Sequence, residues 1–179
     1  MSLRVGVCGL GIMGGAFAAN LVKAGFQVTG FDPVKSKVNV LVKAGGKAGK
    51  SPADVARKSD VVITSLTSPA ILDAVVNGKG GMASGAHKGM ILIETSTLDI
   101  ADKEEIRDTL AKKGATMVDC PVSGAGQQAA SGQITTMASG TKKDFNAVRE
   151  ILEGFSMIQY YVGPFGNGMR LKLLINMLI

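Results

Sequence analysis

LRVGVCGLGIMGGAFAANL, residues 3–21, is the stretch from which the rest of the chain can be read. Leu3, Val5, Val7 and Cys8 make an apolar run of strand type. Three glycines follow with G-x-G-x-x-G spacing, Gly9, Gly11 and Gly14, with Leu10, Ile12 and Met13 between them. A helical pattern (Met13, Phe17, Leu21, Val22) then runs to Gly25. Strand, tight turn and helix N-terminus therefore fall within the first 25 residues. In such a unit one glycine permits the turn, one lets the backbone approach a pyrophosphate, and one lets helix and strand pack closely. The free N–H groups and positive dipole end of the helix suit phosphate charge.

The flanks add weight to a motif that is weak alone. Asp32 ends the next apolar run, Gln27 to Asp32, 18 residues beyond Gly14. An acid there can accept bonds from the hydroxyls of an adenosine ribose. It would repel a 2′-phosphate, so NAD is the expected cofactor; Pro33 and Val34 follow it, although Lys35 or Lys37 could reach round and admit NADP. The competing reading, a glycine turn that binds nothing, explains neither the flanks nor the acid.

Bulk properties narrow the class. At 179 residues the chain can bury one good core, or one domain and the start of another. Its 24 glycines suit tight turns and close ligand approach more than a helical bundle. No apolar run reaches spanning length and the N-terminus lacks a signal-peptide layout, so no membrane association and a cytoplasmic location are expected. The net charge of +6 comes from lysines scattered along helices, and with six Phe, two Tyr and no Trp there is no RNA-binding aromatic motif. Nucleic acid is not an expected partner. Cys8 reads as a buried filler, and Cys120 has no evident activating base. One histidine, His87 in a polar loop, reads as solvated; a zinc site and a Ser-His-Asp triad are both disfavoured, and no metal is expected.

Along the chain, helices are expected at 34–44, after Ser51-Pro52, from Ser68-Pro69 through Val76, at 100–113 and at 141–154. Ser96 to Asp99 reads as the cap of the fourth of these. Strands are expected at 47–49, 61–66, 90–94, 115–118, 133–138 and 158–162, with residues 119–133 a loop. Strands alternating with helices from the first residue predict an α/β, doubly wound (Rossmann-type), mostly parallel sheet with helices on both faces. Residues 1–163 form the expected dinucleotide-binding domain. Gly163 to Gly168 is a glycine-rich turn, and MRLKLLINMLI from Met169 is a strong helix former. That helix is apolar nearly all round and should be buried, either by a partner chain or by further sequence of a longer protein.

Two more stretches bear chemistry. Ser123-Gly124-Ala125 follows a strand, at the carboxyl end of the sheet where doubly wound folds bind ligands. A hydroxyl among small residues can cradle a carboxylate, though an ordinary loop reads the same. Lys172 and Asn176 lie at i and i+4, on one stripe of a greasy helix. A lysine there can exchange a proton with a substrate hydroxyl, or merely snorkel to solvent.

Three signatures together resemble the β-hydroxyacid dehydrogenase family, which includes 3-hydroxyisobutyrate dehydrogenase, tartronate semialdehyde reductase, threonate-type dehydrogenases and, more distantly, 6-phosphogluconate dehydrogenase. GLGIMG (9–14) is similar to its cofactor turn, DCPVSGAGQQAASGQ (119–133) to its substrate loop and GPFGNGMRLKLLIN (163–176) to its catalytic helix. The resemblance implies hydride transfer between a nicotinamide cofactor and a small hydroxy acid. Lys172 would be general acid/base, Asn176 would orient substrate, and Ser123, Gly124 and Ala125 would bind its carboxylate; Ala125 stands where the family more often has glycine. Leu66, Thr67 and Thr97 would line the nicotinamide end. It also implies an all-helical second domain, beginning with the Lys172 helix and absent from this chain, with 164–179 the glycine turn and the start of the interdomain helix, and a homo-oligomer in the full-length form. A non-catalytic dinucleotide-binding module and an imine-reductase-like relative are the alternatives; in both the lysine is typically missing.

Overall fold

A computed structural model describes residues 3–178. Five helix–strand alternations build the main sheet. Strand β1 (Arg4–Cys8) leads through the glycine turn to helix α1 (Ile12–Lys23), then β2 (Gln27–Phe31), α2 (Lys35–Lys43), β3 (Lys47–Ala48) and α3 (Pro52–Lys58). Next come β4 (Val61–Thr64), α4 (Pro69–Asn77), a 3-10 turn at Met82–Ser84, β5 (Ile91–Glu94), α5 (Ile100–Ala111) and β6 (Thr116–Asp119). These six strands are all parallel, in the order β3-β2-β1-β4-β5-β6. The order reverses beside β1, which has β2 on one side and β4 on the other, so a crevice opens beyond their carboxyl ends.

The chain then departs from the simple alternation. Strand β7 (Val122–Ser123), helix α6 (Gly126–Ala130), β8 (Thr135–Ala138), α7 (Lys142–Phe155) and β9 (Ile158–Tyr161) follow, and β7-β8-β9 form a second sheet with β7 antiparallel and β9 parallel to β8. An antiparallel bridge between Asp119 and Ser139 joins the two sheets. Residues 119–133, expected as loop, thus contain a short strand and a helix. The reason is local: the Gln128 side chain accepts the Ala125 N–H, and Ala129 is buried against α1, where Asn20 Nδ2 donates to its carbonyl.

Both faces of the main sheet are covered, as alternating inward residues require. On one face Phe17 and Leu21 of α1 meet Val148, Ile151, Leu152 and Phe155 of α7 over Val5, Val7 and Ile63. The Phe17 and Phe155 rings stack at 4.6 Å between centroids. On the other face Val55, Leu72, Val76, Ile106 and Leu110 of α3, α4 and α5 cover Val62 and Leu92. Local signals set several helix starts: Ser51, Ser68 and Thr141 each accept an N–H of the first turn. Ser96 is different. Its hydroxyl accepts the Leu66 N–H instead of capping α5, whose first flanking residue Asp99 makes no side-chain cap bond.

The final helix, α8 (Asn167–Leu178), starts earlier than the Met169 expected from sequence. Only its first turn is buried, at Gly168 and Met169; Leu173, Leu174 and Met177 are exposed, Met177 at 82%. The covering expected of an apolar helix is thus not supplied by the described residues. None of the helices among them is long and apolar enough to cross a membrane, and no group of His, Cys, Asp and Glu there could hold a metal ion.

Candidate dinucleotide and substrate site

Each glycine of the opening turn has a separate mechanical role. Gly9 has φ +92°, and a side chain on it would strike the Ser65 carbonyl oxygen. One on Gly14 would strike the carbonyl oxygen of Gly9, so its absence is what lets α1 start hard against β1. One on Gly11 meets nothing within 4 Å, so this glycine borders open space at the N-terminus of α1. That is the cradle a pyrophosphate needs.

Asp32, at the end of β2, is 7% exposed. Its two oxygens accept the backbone N–H groups of Leu10 and Val34, both at 2.9 Å, and Lys37 Nζ stands 3.5 Å away. Gly9, Gly11, Asp32, Leu66, Thr67 and Lys37 line one cleft of about 550 Å³. Its mainly apolar wall with a few polar groups suits an adenosine nucleotide. Another cleft, of about 530 Å³, lies by Arg107 and Phe165; it borders Pro164 and Phe165 of the 163–176 stretch but none of the residues assigned to cofactor or substrate from sequence.

Of the remaining residues named from sequence, Thr97, Ser123, Gly124, Ala125, Lys172 and Asn176 are not among those lining this cleft. Ile12, at the first position of α1, is 79% exposed and its Cγ2 stands where a side chain on Gly126 would be. The 119–133 segment therefore folds back over the cofactor turn. Ser123 is half-buried, while Gly124 (φ +134°) and Ala125 are exposed. The Ala125 N–H is already engaged by Gln128 at 2.7 Å. Thr97 is exposed, and its neighbour Ser96 holds Leu66, which brings the segments after β4 and β5 together. Lys172 is half-buried on α8 and Asn176 is exposed one turn further on.

What fixes α8 is a carboxylate that the sequence reading passed over. Asp119, wholly buried, accepts the Met169 N–H at 3.0 Å and the Ser139 hydroxyl at 3.0 Å, and that hydroxyl accepts the Gly168 N–H at 3.0 Å. Its other oxygen takes the Lys103 ammonium at 2.8 Å, and Lys103 Nζ also lies 2.6 Å from Glu94. All three side chains are 0% exposed. Burial pulls the Lys103 ammonium towards neutrality, but Glu94 and Asp119 outweigh it and hold its pKa above the usual value. Burial pushes Glu94 upward against the pull of the same lysine. Acids ending the apolar runs 90–94 and 115–118 were the available signal.

The cysteines and histidine complete the inventory. Both thiols are buried; burial pushes Cys8 up to about 12 and drives Cys120 higher still, so neither is a nucleophile at neutral pH. His87 is not simply solvated: it is half-buried, with Nε2 3.1 Å from the Ser59 carbonyl.

A doubly wound sheet with a glycine cradle, an acid at the end of β2 and a cleft at the strand-order reversal defines a dinucleotide-binding domain. Residues 4–163 match the family described as the NAD binding domain of 6-phosphogluconate dehydrogenase, and the chain belongs to that family. It is 36% identical over 178 residues to a probable mitochondrial 3-hydroxyisobutyrate dehydrogenase of Dictyostelium discoideum, covering 99% of this chain and 56% of that one. It is 36% identical over 177 residues to glyoxylate/succinic semialdehyde reductase 1 of Arabidopsis thaliana, covering 99% of this chain and 61% of the relative. Among solved structures, Mycobacterium tuberculosis 3-hydroxyisobutyrate dehydrogenase with L-serine superposes with a TM-score of 0.92 at 28% identity, over 99% of this chain and 60% of that one. An imine reductase of Streptomyces aurantiacus superposes at 0.86 with 25% identity, over 98% and 60%. The chain thus spans a little over half the length of these relatives.

Proposed function

We propose that this chain is the cofactor-binding part of an NAD-linked oxidoreductase that interconverts a small β-hydroxy acid and its semialdehyde or keto form. The observation that carries the reading is the bond from the Met169 N–H to Asp119. It ties the start of the Lys172 helix to the base of the segment bearing Ser123, so the candidate proton-transfer group and the candidate carboxylate site share one anchor. The cradle at Gly11, the cleft and the buried acid fit a dinucleotide, which supplies a hydride acceptor or donor when bound. Lys172 takes the hydroxyl proton during oxidation and returns it during reduction, a role worth roughly 10²–10⁴-fold in rate. Ser123 and Gly124 hold the substrate carboxylate with Ala125 beside them, Asn176 orients the substrate, and Leu66, Thr67 and Thr97 border the nicotinamide end.

Asp32 favours NAD, because a 2′-phosphate would meet its charge; Lys37 at 3.5 Å supports some tolerance of NADP. The exposed Leu173, Leu174 and Met177 support further covering of α8, by a second domain and within a homo-oligomer, in the full-length form. The likeness to an imine reductase supports a second reading. Lys172 and Asn176 together favour the hydroxy acid. The test is a screen of short hydroxy acids, with cyclic imines as the comparison set, following NADH and NADPH with the full-length protein. Turnover of a hydroxy acid is expected; turnover of imines alone, or cofactor binding without any turnover, would overturn the reading.

A further inference from the structure

The Lys103 ammonium has three hydrogens and three acceptors around it, each doing something different in the fold. Glu94 at 2.6 Å ends β5. The Ser96 carbonyl at 2.7 Å belongs to the segment that carries Thr97 and grips Leu66. Asp119 at 2.8 Å ends β6, starts the Ser123 segment and receives the N–H of Met169. Glu94 in turn accepts the Ser96 N–H at 2.9 Å. One continuous set of bonds therefore runs from Leu66 through Ser96, Lys103 and Asp119 to the first turn of the Lys172 helix.

Stability alone does not account for this lysine. It lies on the inward stripe of α5 with Ile106 and Leu110, where an aliphatic side chain would fill the layer. Replacing a buried ion cluster by apolar groups is often neutral or stabilising, so such a cluster is weak evidence for a stabilising role. What an aliphatic residue could not do is tie the 94–97 segment to Asp119, which in turn bonds the first turn of α8.

We propose that Lys103 is a positioning residue that holds the Thr97 segment, the Ser123 segment and, through Asp119, the Lys172 helix in one frame, so that these three segments open and close as a unit while the glycine turn does not. This rests on the site assignment above, but its test does not use turnover. In native-state amide exchange on the unmodified 179-residue chain, the Ser96, Gly168 and Met169 amides should respond to denaturant through one common opening. Separate openings for Ser96 and Met169 would overturn the proposal. The second arm is the paired substitution Lys103→Met with Glu94→Gln, which preserves the side-chain sizes and the net charge of the cluster. It should speed exchange at Gly168 and Met169 at least tenfold relative to Val148→Ala, a core truncation that lowers stability away from the cluster, and leave the Leu10 and Val34 amides unchanged. Exchange that merely tracks global stability, as in Val148→Ala, would refute it. Because neither arm involves a hydroxy acid, failure of the functional reading leaves both results interpretable.

Discussion

Asp32 Oδ2 accepts the Leu10 backbone N–H at 2.9 Å, across 22 residues of sequence. The acid that marks the end of β2 is therefore also a brace for the glycine turn, and its second oxygen fixes the entry to α2 through Val34. The charge that a cofactor would meet at the ribose is held in place by the backbone.

Replacing that charge should change cofactor choice more than fold. In Asp32→Asn the amide can present one acceptor oxygen, so one of the two N–H groups loses its partner, at about 1–3 kcal/mol. With the carboxylate gone and Lys37 nearby, the NADPH-to-NADH affinity ratio should rise about tenfold or more, equivalent to about 1.4 kcal/mol. Fluorescence titration with each cofactor measures it. An unchanged ratio would remove Asp32 from the specificity account.

The glycines of the turn should separate folding from binding. A methyl at Gly14 would overlap the Gly9 carbonyl oxygen, a backbone atom that cannot step aside, so Gly14→Ala should destabilise by about 3 kcal/mol or more. At Gly11 the methyl points into open space. Gly11→Ala should unfold at nearly the parent temperature yet bind NADH at least tenfold more weakly. Equal loss of stability in both variants would contradict the assignment of Gly11 to the phosphate cradle.

A pH dependence follows from the foot of the sheet, where Arg4 donates to Asp60 from its guanidinium at 2.7 and 3.1 Å and from its backbone N–H at 2.9 Å. The Arg4 side-chain bond holds the Asp60 carboxyl below its usual range. A depressed carboxyl stabilises the fold above the unfolded-state value, near 4, and that contribution fades as pH falls through the lower folded value. Asp60→Asn should therefore melt below the parent at pH 7, and the gap should narrow as pH falls below about 4. A gap that stays constant as the pH is lowered through the acid range would show that the carboxylate charge is not its source.

The parts of the fold legible in the sequence were those written in local chemistry. The 3–32 stretch, the Ser-Pro starts of α3 and α4 and the apolar runs of β4 and β5 carry their signals within a few residues. Helix α6 does not: Gly126 to Ala130 has no apolar stripe, and it forms because Gln128 and Asn20 satisfy its ends. Ser96 looked like a helix cap because its partner, Leu66, lies 30 residues back. Lys103 carries no local signal that sets it apart in a polar helix. Its burial depends on Glu94 and Asp119, two acids on neighbouring strands that only the assembled sheet brings together. The glycine turn and Asp32 were thus readable from motifs, whereas the bonds that join the 94–97 segment, Asp119 and α8 were long-range and had no local signature.

The account turns on Lys172. It shares an anchor with the Ser123 segment, it stands on the helix bonded to Asp119, and it is not among the residues lining the cleft at Gly11 and Asp32. The most direct measurement is steady-state oxidation of a turned-over hydroxy acid by the full-length protein and its Lys172→Ala variant, with NADH affinity titrated on both. A rate lower by roughly 10²–10⁴-fold with NADH affinity within about threefold of the parent is the predicted result. Turnover unchanged, or turnover lost only in proportion to lost cofactor binding, would contradict it.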